Sequence, residues 1–433
     1  MASFSEILRA PVFHTPAGKL EAISDGALLL RDGRIAACGD YSQVRRAHPA
    51  INVHDLRGGF LLPGFVDAHT HFPQLRAIGG LGLPLLDWLE QVALPEESKM
   101  ADRGYAASVA AEFLHALASH GTTTAMVFGA HFAPATAVLF EAAARAGLRV
   151  ISGLVLSDRG LRPDLHQDPD VAFADSESLI ARFHGVGRNR YAVTPRFALS
   201  TSEALLEVCG ALLRAHPDVH FETHLNENPR EIEAVRSAFP WASDYTAVYE
   251  HFGLLGRRSV FAHNVFPLDR ELKALAAAGS TVAHCPCSNA ALGSGIFSMK
   301  RHVEAGLRVA LGTDIAAGTG FSLLREALQC HLLQRLGPDG LVLSPGRMLD
   351  LVTRSGAEAL GLEAEIGDFT PGKAADIVYL RPPEKSPLAA VAAHASSPER
   401  LLAAIFALAG PESIRQVRVA GDIVYQPSAA LLG

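Results

Sequence analysis

Seven histidines and carboxylates stand out because each closes or follows an apolar run. His69 and His71 end "PGFVDAHTH", His224 and Glu227 sit in "FETHLNE", His263 ends "VFAH", His284 opens "HCPCSN", and Asp314 ends "LGTD". Neutral imidazoles and a carboxylate are suitable ligands for zinc or iron(II). A carboxylate just past a ligand strand, such as Glu227, can take a proton from a metal-activated water and later deliver it to a leaving amine or ring nitrogen. Taken singly, each residue has an ordinary structural use. A strand-end His is commonly just hydrogen-bonded, an Asp after "LGT" can cap a helix, and a Glu can sit in a helix first turn. Taken together they are informative, because unrelated structural roles would not all select the ends of apolar runs. On a strand, residues i and i+2 share a face, so Asp67, His69 and His71 should line one side and aim at a common point. That point should be a divalent metal. "HCPCSN" offers Cys285 and Cys287, but no second paired-thiol motif completes a sulfur site.

The elements that must position these residues are short apolar strands alternating with Ala/Leu-rich helical stretches such as "AASVAAEFLHALASHG". The strands read as residues 60–71, 122–128, 150–156, 191–199, 219–226, 259–264, 281–286 and 309–314. Repeated β–α units of this number predict an α/β fold, a parallel (β/α)8 barrel of the triosephosphate-isomerase type. The carboxyl ends of such strands open on one face. A doubly wound open sheet is the structural alternative. The two ends of the chain read differently. "GALLLRDGRIAACGD" holds a hairpin turn at Asp32-Gly33, and the tail has strands in "GDFTPGKAADIVYL" and "IRQVRVAGDIVYQ". Residues 1–58 and 372–433 are expected to pair into one small β-sandwich domain around a metal-dependent barrel at 59–371. "PLAAVAAHASSPERLLAAIFALAG" reads as a helical bridge between tail strands, at a dimer surface.

Bulk properties narrow the class. Hydrophobic residues are 49% and charged residues 19% of 433, a globular balance. The net charge of −7 and the lack of any basic run argue against a nucleic-acid partner. No apolar stretch approaches the roughly 18 residues of a membrane helix, and the N-terminus lacks a basic segment followed by an apolar one. Five thinly spread cysteines look like reduced thiols rather than a disulfide framework. The expectation is a cytoplasmic protein with no membrane association.

The motifs "PGFVDAHTH", "THLNE", "FAHN", "AHCPCSN" and "LGTD", in this order, closely resemble the amidohydrolase superfamily across the whole chain. Within it, "HTHFPQ", "LPLLDWLEQVALPEE", "VTPRFALS", "HLNENPREIEAV" and "YTAVYEHFGLL" are similar to the guanine deaminases. The resemblance implies a homodimeric enzyme that hydrolyses guanine to xanthine and ammonia with a zinc-activated water. It implies one zinc ion, iron(II) being the other option, held by His69, His71, His224 and Asp314. Glu227 would be the proton shuttle, and His263 would orient the water and stabilise the oxygen of the tetrahedral intermediate. Gln74, Arg196 and Phe197 match purine-contacting positions, His224 faces the same ring, and Trp88 would help close the pocket. Arg196 can donate to a carbonyl oxygen and Phe197 can stack on a flat ring, although simple core packing would also explain Phe197 and Trp88.

Some superfamily members bridge two metals with a carboxylated lysine at the end of the fourth strand. This chain has no lysine between Lys99 and Lys273, so one metal is expected. It also lacks the His-x-Glu and Pro-Cys-x-x-Cys signature of the other zinc deaminases. Cys287 stands where a polar residue such as Asn is expected, which leaves a hydrogen bond behind the metal in question. His284 is expected either to line the pocket or to support its lining residues from behind. The same chemistry on 8-oxoguanine, a pterin, an aminotriazine or cytosine, or a catalytically inactive structural homologue, are the other readings.

Overall fold

The computed structural model describes residues 5–428; residues 1–4 and 429–433, which fall in the expected chain-end β domain, lie outside them. The central element is a parallel barrel whose strands neighbour one another in chain order: Phe65–His71, Thr122–Phe128, Arg149–Gly153, Arg190–Pro195, His220–Leu225, Ser259–His263, Thr281–His284 and Arg308–Leu311. Strict chain order excludes the doubly wound alternative, which needs a reversal of strand order. Nearly every residue of these strands is buried. This is why they read as continuous apolar runs and not as alternating ones.

The expected strands run too long in two ways. Residues 60–71 form two strands, because Phe60–Pro63 pairs with Ile377–Leu380 and Val12–His14 in a different sheet. The break falls at Gly64, where a Cβ would lie 2.2 Å from the Thr123 hydroxyl. The carboxyl ends also overshoot. The strands expected to reach Leu199, Asn226, Asn264, Pro286 and Asp314 stop at Pro195, Leu225, His263, His284 and Leu311. Asn226, His263, Asn264 and Asp314 have φ of 49°, 70°, 46° and 48°, so the chain turns sharply there. Left-handed backbone at non-glycine residues costs of order 1–3 kcal/mol each and tends to gather at functional sites.

Strands from the two chain ends form two further sheets. One orders Arg34–Asp40, Gly26–Arg31, Ser5–Arg9 and Val53–Asp55; the other orders Asp422–Tyr425, Ile414–Val419, Ile377–Leu380, Phe60–Pro63, Val12–His14 and Glu21–Ile23. Leu8, Leu28, Leu30, Leu61, Phe369 and Ile377 share one apolar core between them. The hairpin at Asp32-Gly33 has φ of 48° and 76°, the left-handed pair that matches strand twist. A buried ion pair, Arg149 to Asp376 at 2.7 Å, ties the third barrel strand to the tail. The tail helices Pro387–His394 and Pro398–Leu408 pack together, the second also against Leu323–Leu336 outside the barrel. Among the described residues, no helix is long and apolar enough to cross a membrane.

Candidate active site

The first and eighth barrel strands share no ladder among the described residues. Their seam is closed by side chains and turns. Thr313 donates its N–H (3.1 Å) and hydroxyl (2.5 Å) to the two oxygens of Asp67, and the N–H of Asp314 donates to the carbonyl of His69 at 2.9 Å. Asp67 also accepts from the His69 N–H at 3.2 Å. It therefore does not aim at the point where His69 and His71 converge, contrary to the i, i+2 expectation; its oxygens are consumed by the seam. Burial pushes its carboxyl up to about 7.

Above the seam, Nε2 of His71 lies 3.2 Å from Nε2 of His69 and 3.3 Å from Nε2 of His224. Oδ1 of Asp314 lies 3.3 Å from Nε2 of His69 and 3.2 Å from that of His71. These four ligand atoms all fall within 4.8 Å of one another. Two bonds of about 2.0–2.1 Å at a roughly tetrahedral angle span about 3.3–3.4 Å, so the spacing suits a zinc-sized cation. The protonation states suit it too. Burial lowers His69 to about 4 and holds His224 well below its ordinary value, so both rings are neutral. Burial alone would raise Asp314, but the facing His69 and His71 rings outweigh it and hold its carboxyl well below the ordinary value. His224 Nδ1 donates to the Arg196 carbonyl at 2.6 Å, which leaves the Nε2 lone pair for a ligand bond. Phe128, the last residue of the second strand, stacks on His71 at 4.5 Å and packs on His224 at 4.6 Å.

A second grouping of His69, His263, Cys285 and Asp314 overlaps the first. Burial pushes the Cys285 thiol far above its usual range, so a thiolate ligand is disfavoured there. Cys287 belongs to neither group. The doubt raised by Cys287 is answered two residues on, because Asn289 Oδ1 lies 2.9 Å from Nδ1 of His263 and makes the hydrogen bond behind the centre. His284 does not line the cavity. It stacks on Phe297 at 4.3 Å, deep in the wall.

Glu227 and His263 face each other, Oε2 to Nε2 at 3.5 Å, and Ser294 donates to Oε1 of Glu227 at 3.2 Å. Glu227 is not a helix first-turn residue. Glu231 fills that role, accepting the N–H groups of Glu227 (3.0 Å) and Asn228 (3.3 Å). Burial pushes the Glu227 carboxyl up to about 7. Burial opposes charge on His263, but Glu227 and Asp314 outweigh it and raise its pKa.

These groups open into a cavity of about 330 Å³, whose lining includes Gln74, Trp88, Arg196, Phe197, His224, Glu227, His263 and Asp314. Arg196 is ion-paired with Glu97, Nη2 to Oε1 at 2.7 Å, and Gln74 Nε2 donates to the same oxygen at 2.7 Å. His131 Nε2 lies 3.0 Å from the other oxygen of Glu97. Glu97, His131, Phe128, Asn289 and Ser294 were not singled out in the sequence. Only the paired acids in the apolar stretch "VALPEES" gave a signal, since a buried carboxylate needs partners.

A parallel barrel that gathers three imidazoles and a carboxylate at the carboxyl ends of its strands is the build of a hydrolase that works through a bound cation. The Amidohydrolase family model matches residues 60–424, and the chain belongs to that family. It is 55% identical to the probable guanine deaminase of Deinococcus radiodurans, over 98% of this chain and 99% of the relative. The solved guanine deaminase of E. coli superposes with a TM-score of 0.93 at 35% identity, covering 98% of this chain and all of that one. A guanine deaminase from C. acetobutylicum, solved with guanine in its active site, superposes with a TM-score of 0.90 at 25% identity, covering 98% of this chain and 100% of that one.

Proposed function

We propose that this enzyme hydrolyses guanine to xanthine and ammonia, with His69, His71, His224 and Asp314 holding one zinc ion. The observation that carries the reading is the convergence of three imidazole Nε2 atoms and a carboxylate on the same small cavity as Arg196, Phe197 and Glu227. When bound, the cation supplies Lewis acidity, bringing the pKa of a water from about 15.7 towards 7.

The chain's own residues do the rest. Phe197 and Trp88 provide apolar walls for a flat ring, and Arg196 donates to a ring carbonyl oxygen. Gln74 adds a further polar contact at the same end. Glu227 takes the proton of the attacking water and delivers it to the ring nitrogen beside the carbon that bears the amine. It then serves the departing ammonia. A carboxyl pushed up to about 7 exchanges protons in both directions near neutral pH. His263 donates Nδ1–H to Asn289, so its protonated form presents Nε2–H to the developing oxygen. That Nε2 is buried and has no hydrogen-bond partner among the described residues. The resemblance to known guanine deaminases further supports a homodimer acting in purine breakdown in the cytoplasm.

The test is ammonia release from guanine, 8-oxoguanine, a pterin, an aminotriazine and cytosine, with and without chelator. Guanine should be the best substrate, should yield xanthine, and should be spared once chelator strips the cation. Preference for another ring would overturn the substrate assignment, and chelator-resistant turnover would overturn the role of the cation.

A further inference from the structure

Arg196 and Gln74 line the cavity, but neither is held there by its own strand or loop alone. Both converge on Glu97, which does not line the cavity. Oε1 of Glu97 accepts from Gln74 Nε2 and from Arg196 Nη2, each at 2.7 Å, while Oε2 faces His131 Nε2 at 3.0 Å and Arg196 Nε at 3.4 Å. The carboxylate is 4% exposed, and its acceptor capacity is used on donors from three separate barrel loops. Burial would raise its pKa, but Arg196 and His131 outweigh that and hold it well below the usual range, so it is charged.

The pairing fixes what each partner can still offer. Arg196 spends its Nε edge on Glu97, which leaves Nη1 to donate into the cavity. The Gln74 amide cannot flip, because Nε2 donates to Glu97 and Oε1 accepts the Ala316 N–H at 3.0 Å. Glu97 itself sits on Leu94–Ser98, a few residues beyond Trp88 and Leu89, which cover the cavity. One carboxylate thus locks the cover of the site to its recognition groups.

We infer that Glu97 is the positioning residue that sets ring specificity, by holding the Arg196 guanidinium and the Gln74 amide in the one arrangement that presents N–H donors to a ring carbonyl. A ring with an amine at that position would set donor against donor. A site built to hydrogen-bond one group rejects analogues lacking it by large factors. This inference rests on the guanine reading above.

The test is E97Q, with E97D as a second variant that keeps the charge. The glutamine amide would turn an N–H group towards donors now facing a carboxylate. Steady-state kinetics on guanine, calorimetric binding of xanthine, metal content and melting temperature are measured for each. The expected result is a KM for guanine raised at least about tenfold with kcat changed by less than about threefold, as for lost uniform binding. Xanthine binding should weaken in parallel, metal content should be unchanged, and E97D should lie between. In an R196A background, E97Q should add clearly less than it costs in the wild type, because the share that Glu97 exerts through Arg196 is already lost. Unchanged KM, or full additivity with R196A, would overturn the inference. Should E97Q fail to fold, E97D and its cycle with R196A decide by the same criteria. A wild type that binds xanthine but releases no ammonia from guanine would refute the guanine reading, and Glu97 would then be judged on xanthine affinity. A wild type that does neither would overturn both.

Discussion

Asp314 and His69 face each other across the barrel seam and are joined twice: the Asp314 N–H donates to the His69 carbonyl at 2.9 Å, and Asp314 Oδ1 lies 3.3 Å from His69 Nε2. One contact closes the sheet; the other assembles half of the cation site. Barrel closure and assembly of the proposed cation site therefore share this pair of residues, and disturbing one should disturb the other.

Gly312 should be a sensitive position in that seam. A Cβ there would lie 2.7 Å from the His69 carbonyl oxygen and 2.8 Å from its Cβ. Gly312→Ala should lower the melting temperature and the bound metal per chain together. Full metal occupancy with unaltered melting would show that the seam does not govern the site.

Glu227→Gln keeps shape but cannot accept a proton. Loss of general acid–base catalysis typically costs about 10²–10⁴ in rate. Turnover of guanine should fall by that order, while elemental analysis finds the cation retained. Activity near wild type would remove Glu227 from proton transfer.

Asp314→Ala and His224→Ala should each lower metal content and abolish turnover, with added zinc restoring the wild type after chelation but not the variants. A variant that binds a full equivalent of metal would exclude its altered residue from the ligand set.

Arg196→Ala removes a cation from a buried pair in which both side chains are about 5% exposed or less. Breaking such a pair costs about 3–5 kcal/mol, and His131 and Gln74, still facing Glu97, favour the low end. The variant should melt lower and bind guanine about tenfold to a hundredfold more weakly, matching loss of a charge-assisted hydrogen bond of about 1.5–3 kcal/mol. Wild-type melting and affinity would contradict both statements.

Acid stability provides an independent check on Glu97. Its folded pKa is depressed, so its contribution is complete above its unfolded value of about 4.3 and is lost as pH falls towards the folded one. The melting advantage of wild type over E97Q should be constant near neutrality and shrink below about pH 4.3. An advantage that persists undiminished into acid would mean that the charge is not the source.

The order of the barrel strands, and the histidines and carboxylates at or just past their carboxyl ends, could be read from the chain alone. Parallel strands buried on both faces are mostly apolar, so histidines and carboxylates recurring where several such runs end point to one face of a barrel. His69, His71, His224, Glu227, His263 and Asp314 were visible for that reason. Local pattern said nothing of where a strand stops, because left-handed turns at Asn226, His263 and Asp314 are selected by the site and not by the run before them. It misdirected Asp67 as well, since an i, i+2 rule gives a shared face but not a partner, and Thr313 lies 246 residues away. Glu97, His131 and Arg196 come from three loops with no common spacing; only closure of the barrel brings them within hydrogen-bonding range. Composition and periodicity record which surface each residue must hide. Which charge meets which, and hence what the cavity can recognise, is decided only when distant loops are forced into one volume.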